Sequence, residues 1–130
     1  MPEYKPTCVL LADRHHGLTE GVRGMLSAQF ETVVMVADEP SLLESARRLQ
    51  PEVAVVDLSL TGGASLGWLR NLRKACPELR VVVLSVHDEP AVRQAAMAAG
   101  ANGFVLKRAL AKDLWPAIES LLTPATEGTA

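Results

Sequence analysis

The chain has 130 residues, 48% hydrophobic and 22% charged, with 13 Lys and Arg against 15 Asp and Glu for a formal net charge of -2. That length suits one domain and is short for two of ordinary size. No apolar run approaches the ~18 residues of a membrane span. Aromatic residues are only 4% of the chain, so neither a phosphate-tracking basic surface nor a base-stacking platform stands out, and direct contact with nucleic acid is not expected.

The first apolar stretch, Cys8 to Ala12, meets Asp13 and Arg14 at once. It is too short for a signal-peptide core, and the chain reads as cytoplasmic. Residues 1–6 read as an N-terminal arm. Cys8 and Cys76 lack CxxC spacing and read as two reduced, mostly buried thiols. Strand-length apolar runs then recur at Thr7–Ala12, Val33–Ala37, Val53–Asp57, Val81–Ser85 and Gly103–Leu106. Their continuous rather than alternating apolar character is that of strands covered on both faces, which predicts a five-stranded parallel sheet with helices on both faces.

Helical periodicity fills the gaps between these runs. The first helix is marked by Leu18, Val22, Met25, Leu26 and Phe30, the second by Leu42, Ala46 and Leu49, and the third by Leu66, Leu69 and Leu72. Val92, Ala95, Ala96 and Ala99 mark the fourth, and Leu114, Ile118, Leu121 and Leu122 the fifth. Gly17, Gly21 and Gly24 make the first helix poor by propensity, so packing must hold it. Asp38, Glu39 and Pro40 read as the start of the second helix. Pro116 would be tolerated if Asp113 were an N-cap, so the last helix is expected to start late. Residues 7–122 thus form the domain, and the small, polar stretch 123–130 reads as a flexible tail or the start of a linker.

Ligands of an open parallel sheet bind beyond the carboxyl ends of its strands. The residues closing the strands here are Asp13 and Arg14, then Asp57, then Ser85, with Lys107 just past the fifth strand. A carboxylate pair, a hydroxyl and an ammonium therefore converge on one edge. Each has a plainer reading beside the functional one: Asp57 as the cap of a buried strand, Ser85 as an ordinary strand-end hydroxyl, Phe104 as core. His15, His16 and His87 read as solvated loop histidines, having no i, i+4 pairing and no Cys companion.

Four stretches in order carry a resemblance: Val9 to Asp13, Pro51 to Ser59, Val82 to Ser85, and Ala98 to Lys107. Over residues 7 to 122 the chain resembles the receiver domains of bacterial two-component response regulators, most closely the NarL/FixJ (LuxR-type) group. The resemblance implies a flavodoxin-like (βα)5 fold with strand order 2-1-3-4-5. It implies that Asp57 is the phosphoacceptor, that Ser85 and Phe104 are switch residues, and that Lys107 contacts the phosphoryl group. It further implies Mg2+ held by Asp13, Asp57 and the backbone carbonyl of Ser59. The implied partners are a sensor histidine kinase, a downstream effector domain or protein, and a second copy in a homodimer, with no membrane contact. The implied role is signalling and transcription regulation rather than enzyme catalysis, with self-phosphorylation and self-dephosphorylation at most. A carboxylate can take a phosphoryl group as an acyl phosphate when cations offset the charge on the transferred oxygens.

The chain departs from the family pattern at Arg14, where a second acid is expected. With that acid the pocket would carry three carboxylates and one lysine. With Arg14 the charges of Asp13, Arg14, Asp57 and Lys107 cancel. A cation in place of an anion beside a divalent ion should weaken its binding by several kcal/mol even at an effective dielectric of ~20. Arg14 either points outward or pairs with Asp57 and partly imitates the metal. The alternative function is then a pseudo-receiver, an interaction module set by a partner rather than by Mg-dependent phosphorylation. Leu60, Thr61, Gly62 and Gly63 replace the usual Met-Pro of the following loop and are expected to leave it freer. No Gly-rich or Ser/Thr-rich loop follows the first strand, which sets aside a flavin or nucleotide enzyme on the same architecture.

Overall fold

The computed structural model describes residues 7–14, 16–62 and 65–122, with the backbone alone for residues 16–20. The proposed arm at 1–6 and tail at 123–130, and His15 and Gly63, lie outside the described residues. Five strands, β1 (Cys8–Ala12), β2 (Thr32–Val36), β3 (Val53–Asp57), β4 (Arg80–Ser85) and β5 (Gly103–Leu106), alternate with five helices, α1 (His16–Ser27), α2 (Glu39–Leu49), α3 (Gly67–Ala75), α4 (Pro90–Ala98) and α5 (Leu110–Leu122). All pairings are parallel, in the order β2-β1-β3-β4-β5. The expected sheet, its order and its five βα units are all present.

Alternate residues of the central strands feed two cores, as a period of two requires. Leu10, Ala54, Val56, Val81 and Val83 face α2, α3 and α4, where they meet Leu42, Trp68, Leu69, Leu72 and Ala96. Val9, Leu11, Val53, Val55, Val82 and Leu84 face α1 and α5, where they meet Val22, Leu26, Leu114 and Ile118. At ~25 cal/mol per Å2 of apolar surface removed from water, this double covering is what holds a strand of unbroken valines and leucines in place. Helix α2 starts as expected: Asp38 caps it by accepting a 2.8 Å hydrogen bond from the Ser41 amide, which holds the Asp38 carboxyl below its ordinary value.

Three expectations need correction. Helix α5 does not start late: a single 3-10 turn, Lys107–Ala109, runs straight into it at Leu110, and Asp113 lies in its first turn rather than capping it. Burial of Leu110 favours the early start, and the carbonyl orphaned by Pro116 belongs to an exposed segment that solvent can reach. In its described part, up to Gly62, the loop after β3 is less free than expected, because Leu60 is buried in the core and two turns, Leu60 N–H to Asp57 O (3.0 Å) and Gly62 N–H to Ser59 O (2.8 Å), tie it down. His16 opens α1 rather than lying in a loop. The two cysteines are free and half-buried.

Candidate functional site

The carboxyl edge of the sheet gathers the expected residues because each closes a strand or follows one directly. Asp13 follows β1, fixed by its backbone N–H to Val36 O at 3.1 Å. Asp57 ends β3, Ser85 ends β4, and Lys107 follows β5. Asp57 and Ser85 are each 1% exposed and Asp13 is 4% exposed. A carboxylate buried to that degree requires a partner, since an isolated charge away from water is very costly. Asp57 has two: Lys107 Nζ lies 2.9 Å from Oδ1, and the Ser59 hydroxyl donates to Oδ2 at 2.9 Å.

A cavity of about 260 Å3 opens over this pair, lined by Asp57, Leu58, Ser59, Gly62, Ser85, Val86, His87 and Lys107. At ~30 Å3 per water it has room for a phosphoryl group and several waters. The Ser85 hydroxyl is engaged with its own loop, accepting from the His87 amide at 2.8 Å and donating to the His87 carbonyl at 3.1 Å. A larger cleft, about 520 Å3, lies at the other end of the sheet among Gln50, Pro51, Cys76, Pro77 and Arg80. That is the amino-terminal edge of the strands, where ligands of this architecture do not ordinarily bind.

Phe104 does not line the cavity. It is half-buried in β5 against the α2–α4 core, with the Arg93 guanidinium of α4 5.8 Å from its ring centroid. Arg14 is exposed and reaches the loop after β3: a β-carbon placed on Gly62 would stand 3.1 Å from Arg14 Nη1 and 3.8 Å from its Cζ. Gly62 itself has φ +99°, a conformation that L side chains rarely adopt. Sequence reasoning missed the Ser59 hydroxyl, Gly62 and His87. Only Gly62 left a signal, a glycine pair just after a strand end.

For a divalent ion this edge offers two carboxylates, Asp13 and Asp57, and the Ser59 carbonyl, one carboxylate fewer than the family pattern, and waters would have to complete the octahedral set that Mg2+ prefers. Both Asp57 oxygens are engaged. Among the described residues no three His, Cys, Asp or Glu side chains cluster so as to hold a metal ion. Nor is any described helix long and apolar enough to cross a membrane.

Known proteins share this fold. The profile of the response regulator receiver domain matches residues 9–119. The nitrate/nitrite response regulator NarP of Escherichia coli K12 is 33% identical over 109 residues, covering 82% of this chain and 51% of that protein. Among solved structures, a LuxR-family two-component response regulator from Aurantimonas sp. SI85-9A1 superposes with a TM-score of 0.83 at 27% identity, covering 92% of this chain and 86% of that one. The isolated receiver domain of RcsB from Salmonella enterica serovar Typhimurium, solved with the phosphomimetic BeF3-, gives 0.80 at 26% identity, covering 91% and 88%. The chain spans about half the length of the curated relatives it matches.

Proposed function

The chain belongs to the response regulator receiver domain family, and from that premise we propose that Asp57 accepts a phosphoryl group from the histidine of a sensor kinase. The observation that carries the reading is the buried Asp57 carboxylate, paired with Lys107 at 2.9 Å, at the floor of a cavity that also presents Ser85. An Asp57 oxygen attacks phosphorus and forms the new O–P bond. The P–N bond to the donor imidazole breaks, and the nitrogen leaves with its electron pair. Lys107 offsets charge on the transferred oxygens as they pass.

Ser85 then exchanges its bonds to His87 for one to a phosphoryl oxygen, and Phe104 turns inward from beneath Arg93. The face made by α4, β5 and α5 changes its affinity for an effector, a shift between two populated states. Transcription control through a DNA-binding domain, a cytoplasmic setting and a homodimer all extend this reading. The domain is a switch rather than an enzyme, with its own phosphorylation and dephosphorylation as its only chemistry.

Intact-mass measurement after incubation with acetyl phosphate tests it. A phosphoryl mass gain is expected in the unaltered chain and is absent in Asp57→Asn. No gain, with Mg2+ or with EDTA, would overturn the reading. That outcome would leave the alternative of an interaction module set by a partner, raised by Arg14 standing where the family pattern has an acid.

A further inference from the structure

Arg14 stands immediately after Asp13 at the end of β1, and its guanidinium lies against Gly62, a residue that lines the Asp57 cavity. In the sheet order, β3 has β1 on one side and β4 followed by β5 on the other. Arg14 therefore comes to the Asp57 loop from the β1 side and Lys107 from the β5 side. A β-carbon at position 62 would sit 3.1 Å from Nη1, tighter than ordinary contact, so the tip of Arg14 would have to give by a few tenths of an ångström.

The charges at the site close in the same way. A pocket with a second acid in place of Arg14 would be doubly negative, and a divalent ion would bring it to neutrality. Exchanging that acid for arginine makes the same change of two positive charges, so Asp13, Arg14, Asp57 and Lys107 are already neutral together. A guanidinium also presents paired N–H donors whose spacing matches two oxygens of a phosphoryl group. A divalent ion added to this set would have one carboxylate fewer to hold it and an added cation on the Asp57 loop to repel it.

We propose that Arg14 takes the place of the divalent cation, so that this receiver takes up a phosphoryl group on Asp57 without a metal ion. The proposal rests on the reading of Asp57 as the acceptor. With acetyl phosphate as donor, the Asp57 oxygen forms its bond to phosphorus while the P–O bond to acetate breaks. Acetate leaves as the anion with the electron pair, so no proton and no metal enter the balance. The Arg14 and Lys107 cations hold the transferred oxygens.

Two measurements on the full chain test this: the rate of phosphoryl mass gain from acetyl phosphate in EDTA and in millimolar Mg2+, and titration calorimetry with Mg2+ alone. The unaltered chain is expected to gain mass equally in both media and to show no saturable Mg2+ heat. Arg14→Asp should bind Mg2+ at least about tenfold more tightly, ~1.4 kcal/mol, and should be labelled only when Mg2+ is present. Arg14→Ala should lose at least about tenfold of its rate in EDTA, and Arg14→Lys should recover part of that loss. Arg14 is exposed, so these variants keep the fold, which circular dichroism checks. Mass gain by the unaltered chain that disappears in EDTA, saturable Mg2+ binding by it, or an Arg14→Ala rate in EDTA equal to the unaltered one would overturn the proposal while leaving Asp57 as acceptor. Labelling of Arg14→Asp alone would also overturn it, making Arg14 a block rather than a substitute. No labelling of any variant under any condition would overturn the acceptor reading as well.

Discussion

Arg73 is where two loops at the amino-terminal edge of β4 and β5 converge. From α3 its guanidinium donates to the carbonyls of Pro77 (3.0 Å), Leu79 and Gly100 (2.6 Å), and to Asn102 Oδ1 (2.9 Å). Asn102 Oδ1 in turn accepts from the Val81 amide at 2.8 Å, tying the start of β4 to the loop before β5. Gly100 is fitted to this clamp, with φ +121° and room for no more than hydrogen: a β-carbon there would lie 3.1 Å from Arg73 Nε. Hydrogen bonds to a charged group contribute ~1.5–3 kcal/mol each, part of it offset by desolvation of the guanidinium. Arg73→Met, which keeps the stem, should therefore lower unfolding free energy by about 2–3 kcal/mol, read from the urea midpoint at unchanged slope. A loss below about 0.5 kcal/mol would mean that the clamp is solvated without cost. Nothing in the sequence marks Arg73, because its acceptors are backbone carbonyls and one asparagine side chain, the farthest of them 27 and 29 residues away. Asp57, Ser85 and Lys107 were legible for the opposite reason: a polar residue at the end of an unbroken apolar run has only the strand edge to occupy. The Ser59 hydroxyl and the Arg14 approach to Gly62 depend on rotamer and loop path, which no pattern of residue types records.

Among the elements, α1 has the weakest local support. Its helical stretch carries Gly17, Gly21 and Gly24, each costing ~1 kcal/mol against alanine in a helix interior. Burial of Val22 and Leu26 against β1 and β3 holds it instead. Gly24 is exposed, and a β-carbon there would meet nothing within 4 Å among the described residues. Gly24→Ala should therefore raise the unfolding free energy by about 0.5–1 kcal/mol, through lower entropy of the unfolded chain. The melting temperature measures this, and a fall on substitution would show that the glycine serves a contact that packing does not reveal. The strands were legible almost to the residue, since continuous valine and leucine runs have few other places to go. Helix boundaries were harder to read, as α5 illustrates. A proline and a capping aspartate argued for a start near Asp113, but the burial of Leu110 and the 3-10 turn leaving β5 set it three residues earlier.

Across the whole molecule, attachment to the sheet is uneven. The central strands β1, β3 and β4 hold almost fully buried residues, whereas α4 contributes only Ala96 to full burial, with Val92 and Ala99 partly covered. The small side chains that mark α4 in the sequence give it a shallow apolar face, and Met97 is left 38% exposed. What else holds α4 is polar and near the surface: Arg93 over the Phe104 ring, and in the preceding loop an exposed Arg108–Asp88 pair at 2.9 Å. Such an exposed pair contributes little to stability. The loop that ends in α4 begins at Ser85, whose hydroxyl holds its backbone at His87. If that hydroxyl is drawn toward Asp57 as proposed, the loop leading into this weakly anchored helix loses its hold. Segments with few buried apolar contacts open at lower free energy than the global unfolding. Hydrogen exchange of the unmodified chain should accordingly show α4 amides exchanging at least about tenfold faster than those of β3 and β4. Acetyl phosphate should change protection most in α4 and the loop from Ser85 to Glu89, and Asp57→Asn should abolish that change. Uniformly slow exchange through α4, or a change confined to β2 and α2, would place the mobile element elsewhere and detach Ser85 from it.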